Sequence, residues 1–504
     1  MNKRNYFIFI LCFTLFMVEF LFPQTTNIEQ RFNDRYKDIE SDEILSDSYA
    51  SYNIINLDSF IVAKMNQYHI PGLAASIVKD GEIYWTGAFG FANIEDSVEV
   101  TDSTLFMLAS TSKTVVGVAL MQLWEKGLFE LDDDINNYLP FEVHNPFFPD
   151  SIITIRMLLT HTSSINDNWS EMPYLIGDSP ITERQYLEDY LVPGGAYYHT
   201  SNYNNFRPGR TWDYSNVAVA LAAFIVEEIV GSFSLYCQDS IFFPLNMHET
   251  SWFLAELDTT HIARPYNYIG GGNYYPLAHY GYSGYPAGQL RTSTLQLSKF
   301  LSAFMQGGEI NNIRILGSST ISLMTTVQFS QIDATQGLIW YKLLLNSRWM
   351  WGHGGGDKGV GSAMFYSPAE NVGVICLCNV NARAFLQVMV DALFNYVGPV
   401  NVEDEISLPI NYRLSQNYPN PFNPSTIIKY SIPKQGNVTL KVFDVLGKEI
   451  TTLVDKEQPQ GYFEIEFDGS KLTSGIYFYQ LITAASTGSA TGNFVETKKM
   501  ILLK

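Results

Sequence analysis

Near Gly398-Pro399 the sequence changes character, and that break limits what the chain can build more than any other feature. Upstream, over 58–398, β-type runs stand at both ends and apolar helical patterns fill the middle. This predicts an α/β (α+β) domain whose antiparallel sheet is assembled from the two ends of the segment and flanked by helices. Downstream, 399–411 is short, acidic and proline-bearing, the composition of a linker. Over 412–504 only short alternating strands between turn residues remain, the pattern of a small Ig-like β-sandwich. The length agrees, since 504 residues exceed what one hydrophobic core holds. Charge divides at the same place: the last segment has 10 Lys+Arg against 8 Asp+Glu, net +2, so of the total −20 the rest carries −20 − 2 = −22. So acidic a chain, without a block of Lys/Arg, is a poor partner for nucleic acid. An apolar share of 46% against 16% charged excludes a largely disordered chain.

Residues 1–24 open with Met1-Asn2-Lys3-Arg4 and an apolar run from Tyr6 to Val18 that Glu19 interrupts. The run is shorter than the roughly 20 residues of a membrane span. A basic start before a short apolar stretch is the form of a secretory signal peptide, ending near Phe22-Pro23-Gln24, with an uncleaved anchor as the alternative. Residues 25–57 read as a polar, acid-rich leader. Beyond Cys12 in the apolar run there are only Cys237, Cys376 and Cys378. Cys376 and Cys378 share one face of a strand, where neighbours rarely reach disulfide geometry, so all three are expected as small core residues.

Two β-type runs around Lys79-Asp80-Gly81 predict a hairpin. A helix buried on several faces is expected from Ser110 to about Gly127, with others at 154–160, 182–190, 216–230, 294–306 and 384–396. β-Type segments recur at 338–352, 360–366 and 372–380.

Three motifs carry candidate chemistry. In Ser110-Thr111-Ser112-Lys113, positions i and i+3 of a helix share a face, so Lys113 can lie beside the Ser110 hydroxyl, and the helix N-terminus favours a developing oxyanion. Alone, Ser-x-x-Lys at a helix start is more often a cap plus a surface lysine. Here Thr114-Val115-Val116 follows, and a lysine in an apolar helix is costly without a partner or a task. In Tyr214-Ser215-Asn216, a tyrosine near a lysine ammonium should have its pKa lowered, suiting it to exchange a proton with the serine. The plainer reading is Ser215 or Asn216 as a helix cap. In Trp351-Gly352-His353-Gly354-Gly355-Gly356, small residues let backbone N–H groups approach a substrate. Donors from Ser110 and Gly356 could hold a tetrahedral oxyanion, each worth about 3–4 kcal/mol of barrier.

Together and in this order, the three motifs resemble those of the serine β-lactamase-related family of penicillin-recognising enzymes, most closely its class C-like branch with esterases and D-aminopeptidases. The likeness spans about 58–398 and takes in Ile153-Thr154-Ile155-Arg156-Met157-Leu158-Leu159-Thr160-His161-Thr162-Ser163 and Pro286-Ala287-Gly288-Gln289-Leu290. The resemblance implies a β-lactamase/transpeptidase-like fold with Ser110 as acylated nucleophile and Lys113 and Tyr214 as its activators. It makes Asn216, His353, Gly354 and Gly355 substrate contacts and implies no cofactor or metal. Substrates would be small esters, β-lactams or D-amino-acid peptides. The C-terminal segment resembles the type A sorting domain of the type IX secretion system of Bacteroidetes, through Leu414-Ser415-Gln416-Asn417-Tyr418-Pro419-Asn420-Pro421, Val442-Phe443-Asp444-Val445-Leu446-Gly447, Ser474-Gly475-Ile476-Tyr477 and Lys498-Lys499-Met500. That implies the type IX machinery as partner, with transit of the periplasm and release to the cell surface or medium.

Two departures from the family pattern stand out. Ser164 occupies a position where relatives usually carry Gly. His353 replaces the Lys of Lys-Thr-Gly, and a His near 6.5 is mostly neutral where a Lys near 10.4 is cationic. A substrate carboxylate should be gripped less well, which shifts the expectation toward ester or peptide-amide hydrolysis. A β-lactamase or D-Ala-D-Ala carboxypeptidase is the first alternative, and a non-catalytic surface-displayed binding protein the second. Gly354–Gly359 matches G-x-G-x-x-G but follows a late strand, so no dinucleotide site is read there. There is no G-x-S-x-G elbow and no zinc spacing; His161 and His248 are read as structural.

Overall fold

The computed structural model describes residues 56–397, 412–417, 419–484 and 494–504. The anticipated signal peptide, nearly all of the acidic leader and the linker lie outside the described residues. The chain divides into two compact units, Met1–Pro399 and Val400–Lys504.

In the first unit, helix α1 (Leu57–Tyr68) is capped by Asn56, whose side chain accepts from Ser59 N at 3.0 Å. Strands β1 (Gly72–Lys79) and β2 (Glu82–Asn93) form the hairpin around Asp80-Gly81, both at positive φ (53° and 84°) as the tight turn requires. Then come β3 (Val98–Glu99), helix α2 (Lys113–Glu125), helix α3 (Asn216–Val230) and helix α4 (Thr294–Met305). Strands β4 (Tyr341–Leu345), β5 (Arg348–Asp357), β6 (Val360–Ser367) and β7 (Val372–Cys378) and helix α5 (Arg383–Val397) complete the unit. The sheet runs β4-β5-β6-β7-β1-β2-β3 and is antiparallel throughout. Its two halves come from opposite ends of the segment and join where β1 pairs with β7, Ala75 opposite Cys376. This is the β-lactamase/transpeptidase-like α/β architecture.

The strand period of two divides the core. Ala74 and Val78 face α2, α3 and α4, while Leu73, Ala75 and Ile77 face α1 and α5. Cys376 and Cys378 join the second layer, and with Cys237 they are unpaired and buried. Helix α3 is apolar nearly all round and buried from Val217 to Val226. Its N-cap Ser215 accepts from Ala218 N at 3.0 Å, and Gly231 ends it at φ 96°. The single β-type run expected at 338–352 is two strands, because Asn346 and Ser347 turn the chain at φ 46° and 66°. The expected helix from Ser110 starts as a 3₁₀ turn, Ala109–Ser112, and becomes α-helical at Lys113.

In the second unit, Ser425–Ile432 pairs with Arg413–Leu414 and Gly461–Asp468 in one antiparallel sheet. A second has the order Glu449–Gln458, Gly436–Phe443, Gly475–Ala484, Phe494–Leu502. Both contribute to one apolar core, with Ile428 and Tyr430 from the first sheet and Leu440, Tyr479 and Met500 from the second.

Leu120, fully buried in the middle of α2, ties that helix into the larger core. Leu120→Ala should lower the unfolding free energy of the first unit by about 2–5 kcal/mol, read as a fall in urea midpoint at unchanged slope.

Candidate active site

Ser110 lies in the 3₁₀ turn that leads into α2, one residue after Ala109, which takes φ 45°. Left-handed backbone at a non-glycine residue stores strain and persists only where the surroundings hold it. Here the holding groups come from the sheet. The Ser362 hydroxyl donates to Leu108 O at 2.5 Å and meets Thr111 Oγ1 at 2.8 Å, and Thr111 Oγ1 also reaches His353 O at 3.3 Å. The turn is thus pinned beneath β5 and β6. Gly355 makes this approach possible: a Cβ there would lie 2.3 Å from Leu108 O, 2.4 Å from Ser362 Oγ and 3.0 Å from Ser110 N.

Lys113, one turn on, is fully buried. Its Nζ donates to Ser110 Oγ at 3.1 Å, Asn216 Oδ1 at 2.6 Å and the Ala287 carbonyl at 2.5 Å, and lies 5.1 Å from the Tyr214 ring centroid. Two of the sequence motifs therefore converge on one ammonium group. Burial pushes the Lys113 pKa down to about 7, while the charges of Asp167 and Asp357 pull it up. An amine with its pKa there is divided between charged and neutral forms at neutral pH.

The loop carrying Tyr214 and Asn216 is braced from beneath by the segment after Leu159. His161 accepts from Ser215 N through Nδ1 at 3.2 Å, and its ring packs 4.3 Å from that of Tyr214. Asp167 was not singled out from the sequence, yet it organises the N-terminus of α3. It accepts from Asn216 N at 2.9 Å, Asn216 Nδ2 at 2.7 Å, Val217 N at 3.1 Å and Ser215 Oγ at 3.3 Å. Asn216 is thereby oriented with its amide nitrogen on Asp167 and its oxygen on Lys113. Desolvation raises the Asp167 pKa against these hydrogen bonds and the Lys113 charge. The visible signal was a carboxylate four residues beyond Ser163, just past the stretch already marked by the family resemblance. Ser164 sits between them at φ 64°, the left-handed region that favours glycine, and its Oγ accepts from the buried Asn145 Nδ2 at 2.8 Å.

A cavity of about 850 Å³ opens over this constellation, lined by Ser110, Asp167, Tyr214, Asn216 and Gly354 to Gly356 among others. His353 is not among its lining residues. The ring is buried, with Nδ1 2.7 Å from Gly354 O, and stands edge-on to Tyr341. At the rim, Asp357 accepts from the Tyr174 hydroxyl at 2.8 Å and the Lys358 ammonium lies 3.8 Å from the Tyr174 ring centroid. Among the described residues no group of three or more His, Cys, Asp and Glu side chains could hold a metal ion.

The family model for beta-lactamase matches residues 57–393, and the chain belongs to that family. A second model, the secretion system C-terminal sorting domain, matches 416–497. Among relatives, Protein flp of Staphylococcus aureus (strain NCTC 8325 / PS 47) is 24% identical over 331 residues, covering 65% of this chain and 63% of that protein. The chain thus spans less than two thirds of the length of the curated relatives it matches. Of solved structures, a D-amino acid amidase from Ochrobactrum anthropi SV3 has a TM-score of 0.55 at 22% identity, covering 68% of this chain and 98% of that one. The D-alanine carboxypeptidase AmpC from Burkholderia cenocepacia has a TM-score of 0.53 at 20% identity, covering 68% of this chain and 100% of that one. At such identities the two share the fold.

The buried lysine sets a stability signature. Its folded pKa near 7 lies below the 10.5 of an unfolded lysine, so between those values the unfolded chain binds the extra proton. This contribution to stability therefore rises with pH across the window. Replacing Lys113 with Met should stabilise the fold most at and below pH 7, and the gap between the two proteins should close toward pH 10 in parallel urea titrations.

Proposed function

We propose that this protein is an exported serine hydrolase that cleaves esters or peptide-like amides through an acyl-enzyme on Ser110. The observation that carries this reading is the fully buried Lys113 ammonium 3.1 Å from Ser110 Oγ, in a protein of the beta-lactamase family. In the proposed reaction the neutral Lys113 amine, with Tyr214, accepts the Ser110 proton as Oγ bonds to the substrate carbonyl carbon. The carbonyl oxygen takes the negative charge and is held by the backbone N–H groups of Ser110 and Gly356. Collapse breaks the C–O or C–N bond, the leaving group taking the proton from the Lys113–Tyr214 pair. Water then attacks the acyl carbon by the same route, releasing the acid and restoring Ser110. Asn216 positions Lys113 and faces the substrate, and Gly354 and Gly355 offer it backbone.

Amide hydrolysis draws support from the fold shared with a D-amino acid amidase, and ester hydrolysis from the lack of a fixed cation at His353. A second reading, β-lactamase or D-Ala-D-Ala carboxypeptidase, draws on the Lys358 ammonium beside the cavity, which could meet a carboxylate. The C-terminal unit serves export: its sorting-domain match supports secretion or surface attachment through the type IX machinery, preceded by a signal peptide over 1–24. Its two sheets over one core fit an Ig-like sandwich.

A panel of p-nitrophenyl acetate, D-alanine amides and a chromogenic cephalosporin tests the assignment. Ester or amide turnover should exceed cephalosporin turnover by at least about a hundred-fold and fall by about 10³ or more in Ser110→Ala. Activity retained in the variant would remove Ser110 from its role. Cephalosporin as the best substrate would favour the second reading.

A further inference from the structure

The cavity at Ser110 continues past the nucleophile and around an open strand edge. β4 pairs only with Arg348–Gly352, so Gly354 to Asp357 have no strand beyond them on that side. By strand alternation and register, Tyr341 and Leu343 of β4 lie on the same face as Gly352, Ala363 and Phe365, turned toward α5. His353 and Gly355 point the other way, toward the turn that holds Ser110. Residues 354 and 356 belong to the α5 face, and both are glycine, so no side chain from them obstructs the passage. The Tyr341 hydroxyl accepts the Gly354 N–H at 3.1 Å and marks its border.

Beyond the passage the lining is mostly apolar: Leu343, Leu345 and Phe365 from the sheet, Leu386 and Val390 from adjacent turns of α5, with the half-buried Arg383 and Gln387 of the same helix also on the cavity. Of the apolar residues all but Leu345 are under 10% exposed, yet each lines the same cavity as Ser110. A mostly apolar slot joined to a nucleophile suits a part of the substrate that stays while the rest departs. In acyl transfer that part is the acyl group, which remains bonded to Ser Oγ until water arrives. The leaving group needs the open rim by Trp169 and Tyr174 for its exit.

We propose that the slot between β4, β6 and α5 is an acyl-chain subsite selecting unbranched apolar acyl groups of medium length. The inference rests on Ser110 being the acylated residue. Each methylene entering the slot should raise kcat/KM roughly four-fold, the equivalent of about 0.8 kcal/mol.

The test is a p-nitrophenyl ester series from acetate to decanoate on the full-length protein, with Leu345→Trp at the partly exposed end of the slot and Val390→Phe within it. Circular dichroism melting confirms that each variant folds. Wild type should favour octanoate over acetate by at least ten-fold, and both variants should bring that ratio close to one. A flat wild-type profile, or a ratio unchanged in both variants, overturns the subsite. A preference that follows the alcohol part in alkyl acetates, and not the acyl part, overturns its assignment to the acyl group. If neither an ester nor an amide is turned over, the hydrolase reading fails separately; whenever no ester is turned over, calorimetry with octanoate decides the slot. Binding that Leu345→Trp weakens would support it, and absence of binding would overturn it.

Discussion

The arrangement around Ser110 depends on one buried cation. The Lys113 ammonium has left water completely and is compensated by three acceptors drawn from three places in the chain: Ser110 Oγ, Asn216 Oδ1 and the Ala287 carbonyl. A charged amine so placed would cost several kcal/mol without such partners, and even with them its pKa falls to about 7. The fold pins each acceptor independently. Ser110 is held by the strained turn under the sheet, Asn216 by Asp167 at the N-terminus of α3, and Ala287 by its own 3₁₀ turn, Tyr285–Ala287. Loss of any one would leave the others around an under-satisfied charge.

The second constraint is contact between the nucleophile turn and β5. Close approach at Gly355 excludes a side chain there, and the glycines on either side leave the strand's far face bare. The same composition thus serves two ends: it lets β5 lie close against the turn that holds Ser110, and it lets the cavity pass around the strand edge to the α5 layer. Because the pairing with β4 ends where Tyr341 stands opposite Gly352, the edge of β5 beyond it has no strand partner.

Much of this was legible in the sequence where residue type, spacing and periodicity agreed. The hairpin at Asp80-Gly81 and the helix at 216–230 followed from residue type and period, and Lys113 stood out as a cation in an apolar helix. What could not be read was pairing across distance. Asp167 is an ordinary loop aspartate in sequence, and only the fold brings it to the N–H groups of Asn216 and Val217. Ala287 acts through its carbonyl, a group every residue carries. His353 was read as lining the site, but its ring is buried with Nδ1 on Gly354 O and its edge toward Tyr341, while the glycines that follow it line the cavity.

The central claim is that a serine is activated by a buried lysine poised near neutrality. The most direct measurement is the rate at which a fluorophosphonate adds to the intact protein, followed by mass spectrometry from pH 5 to 10. The account predicts a single adduct on Ser110 whose rate of formation rises with pH through a midpoint near 7, as Lys113 loses its proton. No adduct on the folded protein, or a rate indifferent to pH across that range, would contradict it.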